Sequence, residues 1–404
     1  MKRRIRLIIL VLLICLTAGC WDMREVEDLG YVMAMAIDRG PQEQIRVITQ
    51  VPNPRVLGGG TRGGVTPGAS IATKPYRNFE GTGPTIFYAL REISHETSRR
   101  LFFAQNRILI FSEAMAEKGV YDVLDFLKRS VEIRRGLTMV FVARGEPAKI
   151  LDIPNPHAIL PAIRIDDIIR WRGQTSRFAP VPLSRFLESL SLEGQEPYAG
   201  VIEVASNPTA QVREGEKAAP EPSSTIRLAG AALFRDDRMA GFLDETETRG
   251  LLWVLNEVRG GQIVFPCPGQ EGKKVTVDII RANAKIEPEI TEEGIIMTVK
   301  IREDGNLVEV EGHLDVSKPE VIKELDRLHA AAIGNEVMAA VYKAQELGSD
   351  AFGFGEAFRR KFPREWKKIK KDWPEIFPGI EVRVQVVAHI RRMGMTVKPP
   401  LLVH

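Results

Sequence analysis

The feature that most limits how this chain folds is a stretch near its middle, at residues 206–224, that cannot contribute to a core. It contains Pro208, Pro220 and Pro222 among Glu, Lys, Ser and Ala, with few large apolar side chains. Such a composition buries too little apolar surface to offset the entropy of ordering, so it predicts a linker or a long loop. We therefore expect an N-terminal α/β domain over residues 20–205 and a C-terminal α+β domain over residues 225–395.

The first twenty residues carry the three-part pattern of an export signal. Four basic residues lie within the first six positions, and ten apolar residues follow at 7–16. A membrane-spanning helix needs ~20 apolar residues, so this shorter run favours a cleaved signal over a permanent anchor. We predict a lipoprotein signal peptide over residues 1–19, with cleavage between Gly19 and Cys20.

Cys20 is the predicted lipidation site. Thr17-Ala18-Gly19-Cys20 resembles a lipobox, in which a diacylglyceryl group joins the thiol and an N-acyl group can follow. Thr17 stands where a Leu is usual. Two acyl chains give firm attachment to a membrane, whereas a single chain gives marginal attachment. The alternative is a secreted or N-terminally anchored protein in which this cysteine is incidental.

Charge and cysteine content narrow the class of protein further. Without residues 1–19, the 56 basic residues fall by four while the 53 acidic residues all remain, so the mature chain is close to neutral. Nucleic-acid binders usually show a basic footprint, and we expect no such partner here. Cys15 would leave with the signal, so Cys267 is the only candidate for a free thiol, and we predict a buried side chain without a disulfide.

The order of predicted elements favours an α+β fold with mixed sheets and packed helices. Residues 29–38 and 45–51 read as a strand pair, and residues 113–130 as one helix. In the second half, several strands precede a long helix that begins near Ser317 and ends at Gly348. Asp304-Gly305-Asn306 has the composition of a hairpin turn between two strands. Strands followed by helices, without regular alternation, are typical of α+β folds.

The sequence offers no pattern that defines an active site. Its six histidines show no His-x-x-x-His spacing, and no Cys-x-x-Cys or Gly-x-Ser-x-Gly motif occurs. Gly353-Phe-Gly355 begins like a dinucleotide fingerprint but lacks the third glycine. We therefore predict no enzymatic activity, no cofactor and no metal site.

Basic and aromatic residues alternate in the most distinctive segment, which lies near the C-terminus. Phe362, Trp366, Ile369 and Trp373 fall at i, i+4, i+7 and i+11, which predicts one amphipathic helix. One interpretation places this stripe in the core and leaves the neighbouring lysines in solvent. The other is a basic face for anionic lipid or an acidic partner, and the two are compatible. That face would consist of Lys367, Lys368, Lys370 and Lys371.

The glycines just before this segment also allow two interpretations. Asp350 and Glu356 flank them and could hold a cation. A packed junction formed by Phe352 and Phe354 is the simpler explanation.

Several separated motifs resemble one known family. They are Gly19-Cys20-Trp21-Asp22-x-Arg24-Glu25-Val26-Glu27-Asp28-Leu29 with Ile37-Asp38, Gly230-x-Ala232-x-Phe234 with Gly241-x-Leu243, Glu247-Thr-Arg-Gly-Leu251 with Trp253, and the segment Ser349-Asp350 to Trp373. In this order they are similar to the Ger(x)C-type spore germination proteins, the lipoprotein C subunits of nutrient germinant receptors. The resemblance spans nearly the whole mature chain.

The resemblance implies a mixed α/β, three-part protein on the extracytoplasmic face of the spore inner membrane. It further implies membrane-embedded A and B receptor subunits as partners, and nutrients that trigger the complex. Cys20 is the only site residue that it supplies. Whether this subunit itself binds a nutrient stays open.

Two other functions stay open as alternatives. A solute-binding lipoprotein of a transporter usually has repeated β-α units around a cleft, which the strand-rich stretch from 226 to 310 disfavours. A cell-envelope hydrolase would need an identifiable nucleophile or set of metal ligands.

Overall fold

The computed structural model describes residues 25–57, 74–154, 158–206 and 224–392, together with Arg4. Thr17, Cys20 and the interior of the proline-containing segment lie outside the described residues. The strands are β1 Leu29–Tyr31, β2 Ala34–Arg39, β3 Ile45–Pro52, β4 Tyr76–Gly83, β5 Arg100–Phe102, β6 Ile108–Ser112, β7 Met139–Arg144, β8 Val181–Pro182, β9 Tyr198–Ser206, β10 Ser224–Arg235, β11 Arg238–Leu243, β12 Gln262–Pro266, β13 Lys274–Thr291, β14 Gly294–Val310 and β15 Glu381–Arg392. The helices are α1 Pro54–Leu57, α2 Ile86–Ile93, α3 Glu113–Lys118, α4 Tyr121–Arg129, α5 Pro147–Ile150, α6 Pro161–Arg170, α7 Leu183–Ser189, α8 Glu245–Val254, α9 Pro319–Leu347, α10 Phe354–Lys361, α11 Pro363–Ile369 and α12 Trp373–Ile376.

A nine-stranded mixed sheet forms the larger layer, in the order β11-β10-β9-β7-β6-β2-β3-β4, with β8 paired to β7. Its central strands β9, β7, β6 and β2 run parallel, and the outer strands are antiparallel. Every residue of β6 is buried, as expected for a parallel strand with helices on both faces. The predicted pair at 29–38 and 45–51 is confirmed as the antiparallel pair β2–β3, while β1 pairs separately with β5.

The large sheet takes strands from both sides of the proline-containing segment. Ser206 at the end of β9 pairs directly with Ser224 at the start of β10. Residues 206–224 therefore connect two neighbouring strands of one sheet. The boundary predicted there does not separate one sheet from the other.

A second sheet of four strands, in the order β12-β13-β14-β15, follows. Its two long strands, β13 and β14, join through a turn at residues 292–293. The turn predicted at Asp304-Gly305-Asn306 is wrong, because these residues lie inside β14 beside a bulge in β13. A Cβ at Gly305 would lie 2.5 Å from Val277 Cγ1, so this glycine permits close approach of strands instead of a reversal.

Two predicted helices are each broken in two. The helix predicted over residues 113–130 divides at Gly119, whose φ of +119° is not helical, into α3 and α4. The helix predicted through the aromatic stripe divides into α11 and α12, because Pro374 has no N–H to continue the ladder.

Helix α9 crosses one face of the four-stranded sheet and contacts β12 and β15. It begins at Pro319 without a side-chain cap, and it ends, as predicted, at Gly348 in the left-handed conformation. The α+β class is confirmed. Within the described residues, no helix combines the length and the apolar character needed to span a bilayer.

Candidate functional site

The glycine-rich segment 348–355 docks against a loop of the N-terminal region. The Glu356 N–H donates to the Gly194 carbonyl at 2.9 Å, and the Glu196 N–H donates to the Asp350 carbonyl at 2.9 Å. A Cβ on Gly194 would lie 2.6 Å from Trp366 Cη2 and 2.7 Å from the carbonyl carbon of Gly355. Glycine at this position therefore lets the two backbones meet directly.

The buried Asp350 side chain holds this junction together through hydrogen bonds. Its carboxylate accepts hydrogen bonds from the N–H groups of Phe354 at 2.9 Å and Gly355 at 2.8 Å, and from Trp373 Nε1 at 3.0 Å. Burial raises the pKa of Asp350 to about 6, although these hydrogen bonds oppose the rise. Phe352 and Phe354 stack with ring centroids 5.0 Å apart. The carboxylate thus faces protein donors, and the arrangement favours the packed junction over a cation site.

A cleft of about 710 Å³ opens beside the junction. Its walls combine Leu124 and Lys128 of α4, Glu196, and Lys371 after α11. Burial raises the pKa of Glu196 to about 7, while a hydrogen bond from the Asp236 N–H at 2.7 Å opposes the rise. Among the described residues, no cluster of three or more His, Cys, Asp or Glu side chains could hold a metal ion.

The predicted basic face lies on the outside of this junction. Lys367, Lys368, Lys370 and Lys371 are all exposed. Lys370 Nζ lies 2.8 Å from Glu193 Oε1 and so ties α11 to the N-terminal region. Within the described part of the chain, the other three have no ion-pair partner.

The aromatic stripe behind the lysines packs inward, as one of the two interpretations predicted. Trp366 and Trp373 are buried, and their rings meet edge to face with centroids 5.4 Å apart. Cys267 is also buried, as predicted, and burial together with the Glu311 carboxylate raises the pKa of its thiol.

Two family models cover most of the chain. Residues 22–204 match the model described as the spore germination protein N-terminal domain. Residues 229–394 match the model described as spore germination B3/GerAC like, C-terminal. The chain belongs to the GerAC-like spore germination family. This membership confirms the resemblance seen in the sequence motifs.

Relatives of this GerAC-like chain match over its full length. It is 29% identical to YfkR of Bacillus subtilis (strain 168), over 98% of this chain and 99% of that protein. It is 26% identical to spore germination protein KC of the same organism, over 99% of this chain and 98% of that protein. The crystal structure of the GerBC protein superposes with a TM-score of 0.55 and 18% identity, covering 91% of this chain and 99% of that chain, which supports the fold.

The GerAC-like motif at 247–253 forms a buried network that the sequence did not reveal. Arg249 Nε donates to Glu336 Oε2 at 2.8 Å, and Arg249 Nη2 contacts Glu336 Oε1. Trp253 Nε1 donates to the same Glu336 carboxylate at 3.1 Å. A Cβ on Gly250 would lie 2.1 Å from the Glu336 carbonyl oxygen, so the glycine lets α8 approach α9. The partner Glu336 sits inside α9, where no local pattern distinguishes it.

Proposed function

We propose that this chain is the lipid-anchored, non-enzymatic C subunit of a nutrient germinant receptor in the spore inner membrane. It would assemble there with membrane-embedded A and B subunits, and Cys20 would hold it on the extracytoplasmic face. The observation that carries this proposal is the pair of GerAC-like matches at 22–204 and 229–394, which follow directly on the lipobox-like Cys20.

A membrane tether and an exposed basic surface are both properties suited to a docking subunit. A diacylglyceryl cysteine confines the protein to the membrane surface, so weak contacts with membrane-embedded partners suffice for assembly. The folded part offers a rigid junction and exposed lysines as docking features, and the buried Asp350 carboxylate of the junction is engaged with protein donors.

Replacing Cys20 by alanine tests the anchor. The full chain would be followed by membrane fractionation, mass spectrometry of its N-terminus and a nutrient-germination assay. We expect Cys20→Ala to abolish the diacylglyceryl modification, membrane retention and germination. Cys15→Ala is the matched control, since it changes a cysteine within the apolar run and leaves the lipobox intact. A wild-type chain that is released freely, or that begins at another residue, would refute the anchor.

The lysine face needs a separate test, because one of its members has an internal partner. Lys370→Glu breaks the ion pair with Glu193, whereas Lys370→Glu combined with Glu193→Lys restores it in reverse. Lys367→Glu, Lys368→Glu and Lys371→Glu together change only exposed charges. If receptor assembly and germination are normal in that triple variant, the docking face is wrong.

The solute-binding alternative would place a nutrient in the 710 Å³ cleft. The C-terminal region has a four-stranded sheet with two long antiparallel strands instead of a second lobe of β-α units, so we prefer the receptor subunit. Thermal stabilisation of the isolated chain by a nutrient amino acid or sugar would reverse that preference.

A further inference from the structure

A second basic segment surrounds a fully exposed apolar side chain. Val131 follows α4 with 98% of its surface accessible. Lys128 precedes it, and Arg134 and Arg135 follow it; all three are exposed. Within the described residues, none of these three cations has an ion-pair partner. An apolar side chain set among free cations is the pattern of a surface that enters lipid headgroups.

The loop that carries these residues is held in place. The Glu132 carboxylate accepts the Phe103 N–H at 3.3 Å and lies 3.4 Å from Arg100 Nη2. Ile133 is buried in the main core, and the Leu137 N–H donates to the Arg134 carbonyl at 2.8 Å. Because the backbone is already ordered, little conformational entropy is lost when its side chains dock on a surface.

Lys128 of this segment also lines the cleft beside the junction. The lining of that cleft also includes Asp125, Glu193, Glu196, Asp236 and Asp237, so the basic surface is confined to the segment around Val131. We call the cations around Val131 the basic rim; its members are Lys128, Arg134 and Arg135.

Contacts connect the basic rim to the start of the fold. Arg99 Nη1 donates to the Leu29 carbonyl at 3.3 Å, and β1 pairs with β5, which carries Arg100 next to Glu132. From Cys20 to Glu25 the chain advances five residues, which span at most about 18 Å when fully extended. A lipid at Cys20 would therefore keep the rim close to the bilayer.

The first turn of the fold is not the part of the protein that contacts the membrane. Glu25, Glu27 and Asp28 are exposed and acidic, so anionic headgroups would repel them. The attraction has to come from the cations further along the same end of the molecule.

We propose that the basic rim, with Val131 between its cations, lies on an anionic lipid surface and sets the orientation of the protein on the membrane. This inference rests on the proposed membrane tether and extends it from one point of attachment to a defined face. Lipid is favoured over an acidic protein because a tethered chain meets the bilayer at a high effective concentration. The apolar Val131 also suits the boundary between headgroups and acyl chains.

Thiol modification at position 131 tests this orientation. The full chain with Val131→Cys is purified from membranes in detergent and added to preformed vesicles. One set combines phosphatidylglycerol with phosphatidylcholine, and the other contains phosphatidylcholine alone. An impermeant thiol reagent is then applied, and its rate is read on the peptide that contains residue 131. Glu292→Cys, in the exposed turn between β13 and β14, is the position control.

We expect anionic vesicles to slow the reaction at residue 131 and to leave residue 292 unaffected. High salt should remove the protection, since it screens charges beyond about 3 Å at 1 M. Replacing Lys128, Arg134 and Arg135 by glutamine should lower the ratio of docked to free protein roughly 100-fold, the combined effect of three cations near the surface. Lys273→Gln, Lys274→Gln and Lys318→Gln remove the same charge from other exposed positions and should change nothing.

Mass spectrometry of the N-terminus in the same sample separates this proposal from the tether. If Cys20 carries lipid but residue 131 reacts equally fast on both vesicles, the basic rim is wrong and the tether stands. If residue 131 is protected while Cys20 is unmodified, the rim stands and the tether is wrong. Equal protection on neutral vesicles, or protection only when the A and B subunits are added, overturns the anionic-lipid proposal.

Discussion

Replacing Arg249 by methionine should destabilise the C-terminal region by about 4–6 kcal/mol. The Arg249 and Glu336 side chains are only 6% and 11% exposed, so removal of the guanidinium leaves a buried carboxylate without its counter-charge. Breaking a buried pair in this way costs about 3–5 kcal/mol. The Gln262 carbonyl also loses its donor, Arg249 Nη1 at 2.7 Å, which adds about 1 kcal/mol.

Combining Arg249→Met with Glu336→Met measures the interaction energy of the buried pair. Glu336→Met alone should cost about 3–5 kcal/mol, because it leaves the Arg249 charge buried. With both residues changed to methionine, no buried charge remains, and the unpaired Trp253 Nε1 and Gln262 carbonyl together cost about 2–4 kcal/mol. The double variant should therefore be more stable than the sum of the single effects by about 5–7 kcal/mol.

Urea unfolding followed by tryptophan fluorescence measures these differences, and Trp253 lies within the network itself. Arg249→Lys is the matched control: it keeps the charge, loses the two-pronged contact and should fall between wild type and Arg249→Met. Single effects below about 1 kcal/mol, or effects that simply add in the double variant, would refute the account of the network as a buried ion pair.

Three further predictions concern the junction and the dependence of stability on pH. Gly194→Ala should lower the free energy of unfolding by about 2–4 kcal/mol in thermal or urea unfolding, because the φ of Gly194 is +84° and the new Cβ would meet Trp366 and Gly355. Gly379→Ala is the control: a Cβ there has no atom within 4 Å, so the free energy of unfolding should change by less than about 0.5 kcal/mol. Burial raises the pKa of Glu303 to about 8, so the native state keeps a proton that the unfolded chain releases, and stability should fall as pH rises from 4.5 towards 8. Glu303→Gln should flatten that slope in unfolding measured at several pH values, and an unchanged slope would refute it. Burial lowers the pKa of His329, 3.5 Å from Glu303, to about 4, so stability should also fall from pH 6.5 towards 4, and His329→Gln should remove that loss.

Local sequence patterns correctly predicted those elements whose conformation depends mainly on their own residues. Strands such as β2 and β3 alternate or cluster apolar residues, and Gly348 ends α9 because the left-handed conformation favours glycine. The burial of Trp366 and Trp373 likewise follows from their spacing. In each case the signal and the structure lie within a few residues of each other.

The wrong predictions concern residues whose conformation is determined by contacts with parts of the chain that are distant in sequence. Asp304-Gly305-Asn306 has the composition of a turn, but Asp304 forms ion pairs with Arg281 at 3.1 Å and Arg391 at 2.7 Å on other strands, and Gly305 admits the side chain of Val277. The break between α11 and α12 required the influence of Pro374 to be weighed against a strong aromatic stripe. Glu336 and the basic segment around Val131 become visible only when their neighbours from other elements are in place.

The pairing of Ser206 with Ser224 also determines the order in which the protein can be completed during synthesis. When the ribosome has made residues 25–206, β9 still presents an unpaired edge, and the large sheet is complete only after Leu243 has emerged. A chimaera between two relatives that is cut within the proline-containing segment would combine β9 of one protein with β10 of another across an interface of 8 paired positions. A cut after Leu243 keeps that sheet within one parent, and it is the natural place to exchange the C-terminal regions of such proteins.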